Sequence, residues 1–154
     1  MSNAATSSPR WDPAFIADVI KAYDVRGLVD EQITVDFVRA VGQSFSRLMR
    51  SEGALSVVVA HDMRDSGPEL AEAFAEGVTE QGLNVINIGL ASTDEMYCAS
   101  GLLQVPGAMF TASHNPAAYN GIKLCRAGAR PVGQDTGLAT ISQELAEGVP
   151  ESNL

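Results

Sequence analysis

Short apolar runs alternate with stretches of helical periodicity along this chain, and that alternation restricts it to a sheet covered by helices. Residues 55–60 form the clearest run, valine-rich and strand-length; Val57-Val58-Val59-Ala60 is far too short to cross a bilayer. Before it, Thr34 is placed to cap a helix through about residue 51, with Val38, Val41, Phe45 and Leu48 at helical spacing. After it, Ser66-Gly67-Pro68-Glu69 has capping-box spacing and opens a helix that carries Leu70, Phe74 and Val78 on one face and ends near Gly82. Residues 84–88 read as the next strand. Ser92-Thr93-Asp94-Glu95 offers a second capping box and a helix to about residue 104. Pro106 and Gly107 restart an extended run to residue 112, and Asn120-Gly121 reads as a turn before the strand 122–125. The close pair 107–112 and 121–126 is expected to be antiparallel. Residues 13–21 read as a short helix or turn leading into extended Ala22-Tyr23-Asp24, and residues 135–147 as a final amphipathic helix. The predicted fold class is α/β, a three-layer α/β/α sandwich with a mixed sheet.

The 154 residues, 45% apolar and 19% charged, suffice for one domain with a real core. Residues 1–9 are small and polar and read as a disordered or cloning-derived tail, with the α/β domain at 10–154. No basic region followed by an apolar one opens the chain, and its two cysteines, Cys98 and Cys125, lack metal-like spacing. Reduced thiols and a cytoplasmic location are the simplest expectation. A formal charge of −9 argues against nucleic acid as a partner, and no membrane contact is expected.

The chemistry concentrates in Thr111-Ala112-Ser113-His114-Asn115-Pro116, directly after the apolar run 107–110. Ser113 is a hydroxyl held between a strand end and a proline, suited to carrying a phosphoryl or acyl group; the competing reading is a turn serine that bonds only backbone. His114 neighbours it, but adjacent residues of an extended segment point apart, so loop shaping or phosphate contact is favoured over a general-base role. Asn115 ties the loop, and Pro116 fixes its exit. Period-two alternation sets Lys123 on the opposite side from Ile122 and Leu124. It is either a solvated edge charge or a functional cation. Tyr23-Asp24-Val25-Arg26-Gly27 reads as a strand end with a glycine turn, and His61-Asp62-Met63-Arg64-Asp65-Ser66 as a loop at a strand's carboxyl end, a favoured ligand position.

Thr-Ala-Ser-His-Asn-Pro resembles the phosphoserine loop of the α-D-phosphohexomutases, the family of phosphoglucomutase and phosphomannomutase. Asn120-Gly121-Ile122-Lys123 is similar to its Asn-Gly-x-Lys segment, residues 23–27 to its N-terminal pentapeptide, and residues 62–66 to its Asp-x-Arg-x-Ser segment. The resemblance implies the fold of that family's first domain, with a phosphorylated Ser113, Lys123 as general acid/base, and Arg26 stabilising charge on the transferring group. Tyr23, His114, Asn115 and Arg64 would contact substrate or phosphate. Magnesium (Mg2+) would bind through the phosphate on Ser113, its other ligands lying outside this chain. The implied activity is an isomerase that interconverts hexose 6-phosphate and hexose 1-phosphate through a hexose bisphosphate. The family's Asp-Gly-Asp-x-Asp and Gly-Glu-x-Ser-Gly loops are not in the sequence. The chain is therefore expected to be the N-terminal domain of a longer parent, partnered by that parent's missing domains and inactive alone. A phosphoglucosamine mutase domain, or a non-catalytic binding module of the same fold, stays open beside this reading. A serine hydrolase is disfavoured, because no Gly-x-Ser-x-Gly elbow is present.

Overall fold

The computed structural model describes residues 9–152, so all but the last residue of the expected 1–9 tail lies outside the described residues. Helix α1 (Pro13–Val19) opens on Asp12, whose carboxylate accepts the Ala14 N–H, with proline in the first turn. The chain bends at Ala22–Asp24, where an extended segment was expected, and enters strand β1 (Val25–Leu28). Thr34 caps α2 (Val35–Ser51) as its position suggests, its hydroxyl accepting the Phe37 N–H. Strand β2 (Ser56–His61), α3 (Gly67–Glu80), β3 (Asn84–Leu90) and α4 (Thr93–Leu103) follow. Then come β4 (Gly107–Phe110), β5 (Tyr119–Arg126) and the short β6 (Arg130–Pro131). A 3₁₀ turn at Gln134–Thr136 precedes α5 (Leu138–Glu147), so the last helix begins later than its amphipathic pattern does.

The strands form one sheet in the order β1-β5-β4-β2-β3, with β6 also on β5. Strand β2 pairs in parallel with β3 and β4, whereas β5 runs antiparallel to β4, β1 and β6. The sheet is mixed, as expected. Its two faces explain the unbroken apolar run in β2. Val57 and Val59 join Phe110, Ile122 and Leu124 in the larger core beneath α1, α2, α3 and α5. Val58 and Ala60 turn the other way, with Met109 and Cys125, onto Met96 of α4. The result is the three-layer α/β/α sandwich. Among the described residues no helix is long and apolar enough to cross a membrane. Both cysteines are free, and burial pushes the Cys125 thiol pKa up, against the opposing pull of its hydrogen bond with Ser100.

Two further local expectations fail. Asn120-Gly121 is not a turn: both residues lie inside β5, and the reversal occurs earlier, over residues 113–118. Ser66 does not form a capping box with Glu69. Its backbone is already helical (φ −76°, ψ −11°), and its hydroxyl accepts the side-chain N–H of Asn120 instead.

Candidate functional site

The site forms where β4 runs out. Thr111 N–H donates to Gly121 O at 3.0 Å, extending the β4–β5 ladder by one bond. The chain then leaves the sheet, and the Thr111 hydroxyl accepts the Ser113 N–H at 3.0 Å, a local turn closed by a side chain. Ser113 sits at φ +54°, the left-handed region, which costs a non-glycine residue about 1–2 kcal/mol. Surrounding bonds hold it there. Asn115 donates both its backbone N–H and its Nδ2 to Ala112 O, at 3.0 and 2.8 Å, and the Tyr119 N–H reaches Pro116 O. The Ser113 side chain projects from this pinned loop into solvent, next to an exposed His114.

Arg64 reaches the same loop from the end of β2. Its Nη1 donates to Pro116 O (2.8 Å) and Tyr119 O (3.2 Å), and its Nη2 to Ser113 O and Asn115 O (both 2.9 Å). Nε faces the Asp62 carboxylate at 3.4 Å, and the other Asp62 oxygen accepts the Arg64 backbone N–H. The side chain is only 9% exposed. Expected among the phosphate contacts, this guanidinium is directed at main-chain carbonyls. The reason is geometric: five N–H groups in a planar fork match a ring of loop carbonyls.

A second cluster lies on the neighbouring strands. Val25 pairs with Ile122 and Arg26 with Gly121, so continuing the register sets Asp24 opposite Lys123. Asp24, Arg26 and Lys123 thus share the sheet face opposite the larger core. Asp24 is buried, and its Oδ2 accepts from Arg26 Nη2 at 2.7 Å and lies 3.5 Å from Lys123 Nζ. One carboxylate therefore ties together the two cations expected to matter. Arg26, Gly121 and Thr111 form a row across three strands, which brings Arg26 to the end of the sheet from which the Ser113 loop projects. Gly121 makes the approach possible: a Cβ there would lie 2.1 Å from Val25 O. Tyr23, expected to pack on the loop or a ligand, is 82% exposed, its ring in solvent beside Gly133.

Three residues in this arrangement escaped sequence reasoning as site members: Asp24, Asp62 and Asn120. Asp24 had a legible signal, because it stands two residues before Arg26 at strand spacing. Asn120 did not. It is fully buried, with Nδ2 on Ser66 Oγ and Oδ1 accepting the Gly121 N–H, a role that only the packed fold creates. Magnesium does not fit a site built from the described residues alone. They contain no group of three or more His, Cys, Asp or Glu placed to hold an ion, and Asp24 is already engaged by two cations.

Residues 17–150 match the family model described as phosphoglucomutase/phosphomannomutase, alpha/beta/alpha domain I. A phosphomannomutase of Vibrio cholerae is 42% identical over 130 residues, which cover 82% of this chain and 28% of that protein. A protein of Xanthomonas campestris named phosphohexose mutases is 42% identical over 135 residues, 87% of this chain and 28% of its own length. This chain thus spans little more than a quarter of these relatives. A shorter phosphomannomutase of Klebsiella pneumoniae, 41% identical, is covered over 79% of its length and 82% of this chain. Among solved structures, a phosphoglucomutase/phosphomannomutase family protein of Burkholderia thailandensis superposes with a TM-score of 0.78 at 30% identity, covering 88% of this chain and 30% of that one.

Proposed function

The chain belongs to the phosphoglucomutase/phosphomannomutase family, as its α/β/α domain I, and on that premise we propose that Ser113 carries the phosphoryl group of a phosphohexomutase. The observations that carry this reading are an exposed serine fixed at φ +54°, a buried carboxylate that gathers Arg26 and Lys123, and the strand register that sets Arg26 in one row with Gly121 and Thr111, where the Ser113 loop begins. A phosphoserine brings about two negative charges and three acceptor oxygens. Arg26, whose side chain is 34% exposed, is suited to meet them with a planar fork.

In the proposed reaction the phosphoryl on Ser113 passes to the free hydroxyl of a hexose monophosphate. The sugar becomes a bisphosphate and the serine oxygen is left free. The intermediate turns round and returns its other phosphoryl to Ser113, which releases the isomeric monophosphate. Lys123 would move the proton lost or gained by the reacting hydroxyls, as a general acid/base. His114 and Asn115 would contact the phosphate from the loop, and Tyr23 would meet ligand from the solvent side. Magnesium would supply charge neutralisation at the phosphoryl oxygens. The Ser113 phosphate would be one of its ligands, with the others outside these residues.

The test is intact mass and phosphosite mapping of the full-length protein after purification, alongside Ser113→Ala. The expected result is one phosphoryl group on Ser113 and a loss of hexose-phosphate isomerisation by several orders of magnitude in the variant. Retained turnover in Ser113→Ala would overturn the proposal. The 154-residue chain alone is expected to show no significant turnover.

A further inference from the structure

We infer that Arg64, with Asp62 as its counter-ion, is a positioning residue that locks the Ser113 loop in its left-handed conformation and does not hold the phosphate itself. The inference deepens the reading of Ser113 as phosphoryl carrier and rests on it for its kinetic part only. Three observations carry it. Both terminal nitrogens of Arg64 are engaged, each by two loop carbonyls, and Nε faces Asp62, so no N–H is left aimed at solvent where a ligand would lie. The four acceptors belong to residues 113, 115, 116 and 119, so one side chain closes the whole reversal between β4 and β5. The acceptor nearest the nucleophile is the carbonyl of Ser113 itself. Fixing that peptide fixes the ψ of a residue whose φ is already unfavourable, and so sets where Oγ points.

The guanidinium is not replaceable by an ammonium here. A lysine is a point charge on a flexible stem and cannot span four carbonyls in a plane. Asp62 is part of the device. It accepts the Arg64 backbone N–H with one oxygen and faces Nε with the other, while its own N–H is anchored on Phe110 O. The loop after β2 thus takes its register from the last residue of β4 and passes it to the nucleophile.

The test uses Arg64→Lys and Asp62→Asn in the full-length protein, read by amide hydrogen exchange and by kinetics. Exchange at Ser113, Asn115 and Tyr119, whose N–H groups are bonded within the loop, is expected to quicken at least about tenfold, the effect of losing one charge-assisted hydrogen bond. The Thr111 N–H, bonded across to β5, should keep its wild-type rate. Turnover is expected to fall in kcat by about a hundredfold with KM little changed, the signature of a misplaced reacting group. Added ethylguanidinium should restore activity to Arg64→Ala and not to Arg64→Lys. A raised KM with kcat intact, or loop amides that exchange at the wild-type rate, would overturn the inference. The exchange result is independent of the reaction. If Ser113→Ala kept its activity, the phosphoryl-carrier reading would fall and the lock would still stand or fall on the amides.

Discussion

The loops after β2 and β3 start alike and end differently. Both leave the carboxyl ends of adjacent parallel strands, and both carry Ser-x-x-Glu before a helix. After β3 the motif closes on itself: Ser92 Oγ accepts the Glu95 N–H at 3.0 Å, and Glu95 accepts the Ser92 N–H at 2.7 Å. After β2 the same spacing is wired outward. Ser66 binds Asn120 of β5, Arg64 binds the Ser113 loop, and the Asp62 N–H binds Phe110 of β4. Position in the sheet makes the difference. Strand β3 is an edge whose one neighbour is β2, reached by its loop through the Ala91 N–H on His61 O; β2 lies between β3 and β4, so its loop stands against the strand that leads into the Ser113 loop. A cap is a local solution for backbone groups, and the fold gives it up where a tertiary partner claims the same hydroxyl.

The largest expected effect comes from breaking the outward-wired side at its tightest point. Gly121→Ala would bring a Cβ within 2.1 Å of Val25 O, so β1 must part from β5. Chemical denaturation should show a loss of about 3 kcal/mol or more, and turnover should fall with it, because Asp24 and Arg26 travel with β1. Stability near that of the wild type would mean that the two strands are not held in this register. Asp24→Asn comes next. It removes the charge between two cations and keeps the shape. Since Arg26 and Lys123 are 34% and 26% exposed, solvent screens part of the loss, and about 2 kcal/mol is expected. The turnover loss should appear in kcat, checked by steady-state kinetics beside the denaturation curves. An unchanged kcat would separate this carboxylate from the chemistry.

What the sequence disclosed follows the same division between local and tertiary causes. Thr34 and Ser92 were legible as caps because a cap needs only its own next three residues. Lys123 was legible as facing away from Ile122 and Leu124, because strand period is a local property. Asn120-Gly121 was misread as a turn because the pair satisfies turn chemistry; what sets it in a strand is the close approach of β1, which only Gly121 permits. The Ser113 loop could be found from its residues. Arg64, however, lies 49 positions away in sequence, and nothing local says that its donors fold back onto that loop's carbonyls.

The smallest effects form a matched pair. Ser66→Ala removes the acceptor of a fully buried Asn120 Nδ2, and leaving that donor unsatisfied should cost about 1.5 kcal/mol. Asn120 precedes Gly121, whose carbonyl holds Thr111, so a measurable drop in turnover is expected as well. Ser92→Ala should cost about 1 kcal/mol, the worth of an ordinary cap, and leave turnover at the wild-type level, because its partners belong to its own helix. Melting curves and kcat for both variants decide the matter. If the β3-side substitution lowered kcat as much as the β2-side one, proximity to the Ser113 loop would not be what distinguishes the two serines. The wiring from Ser66 through Asn120 to Thr111 would then be packing without consequence for the loop.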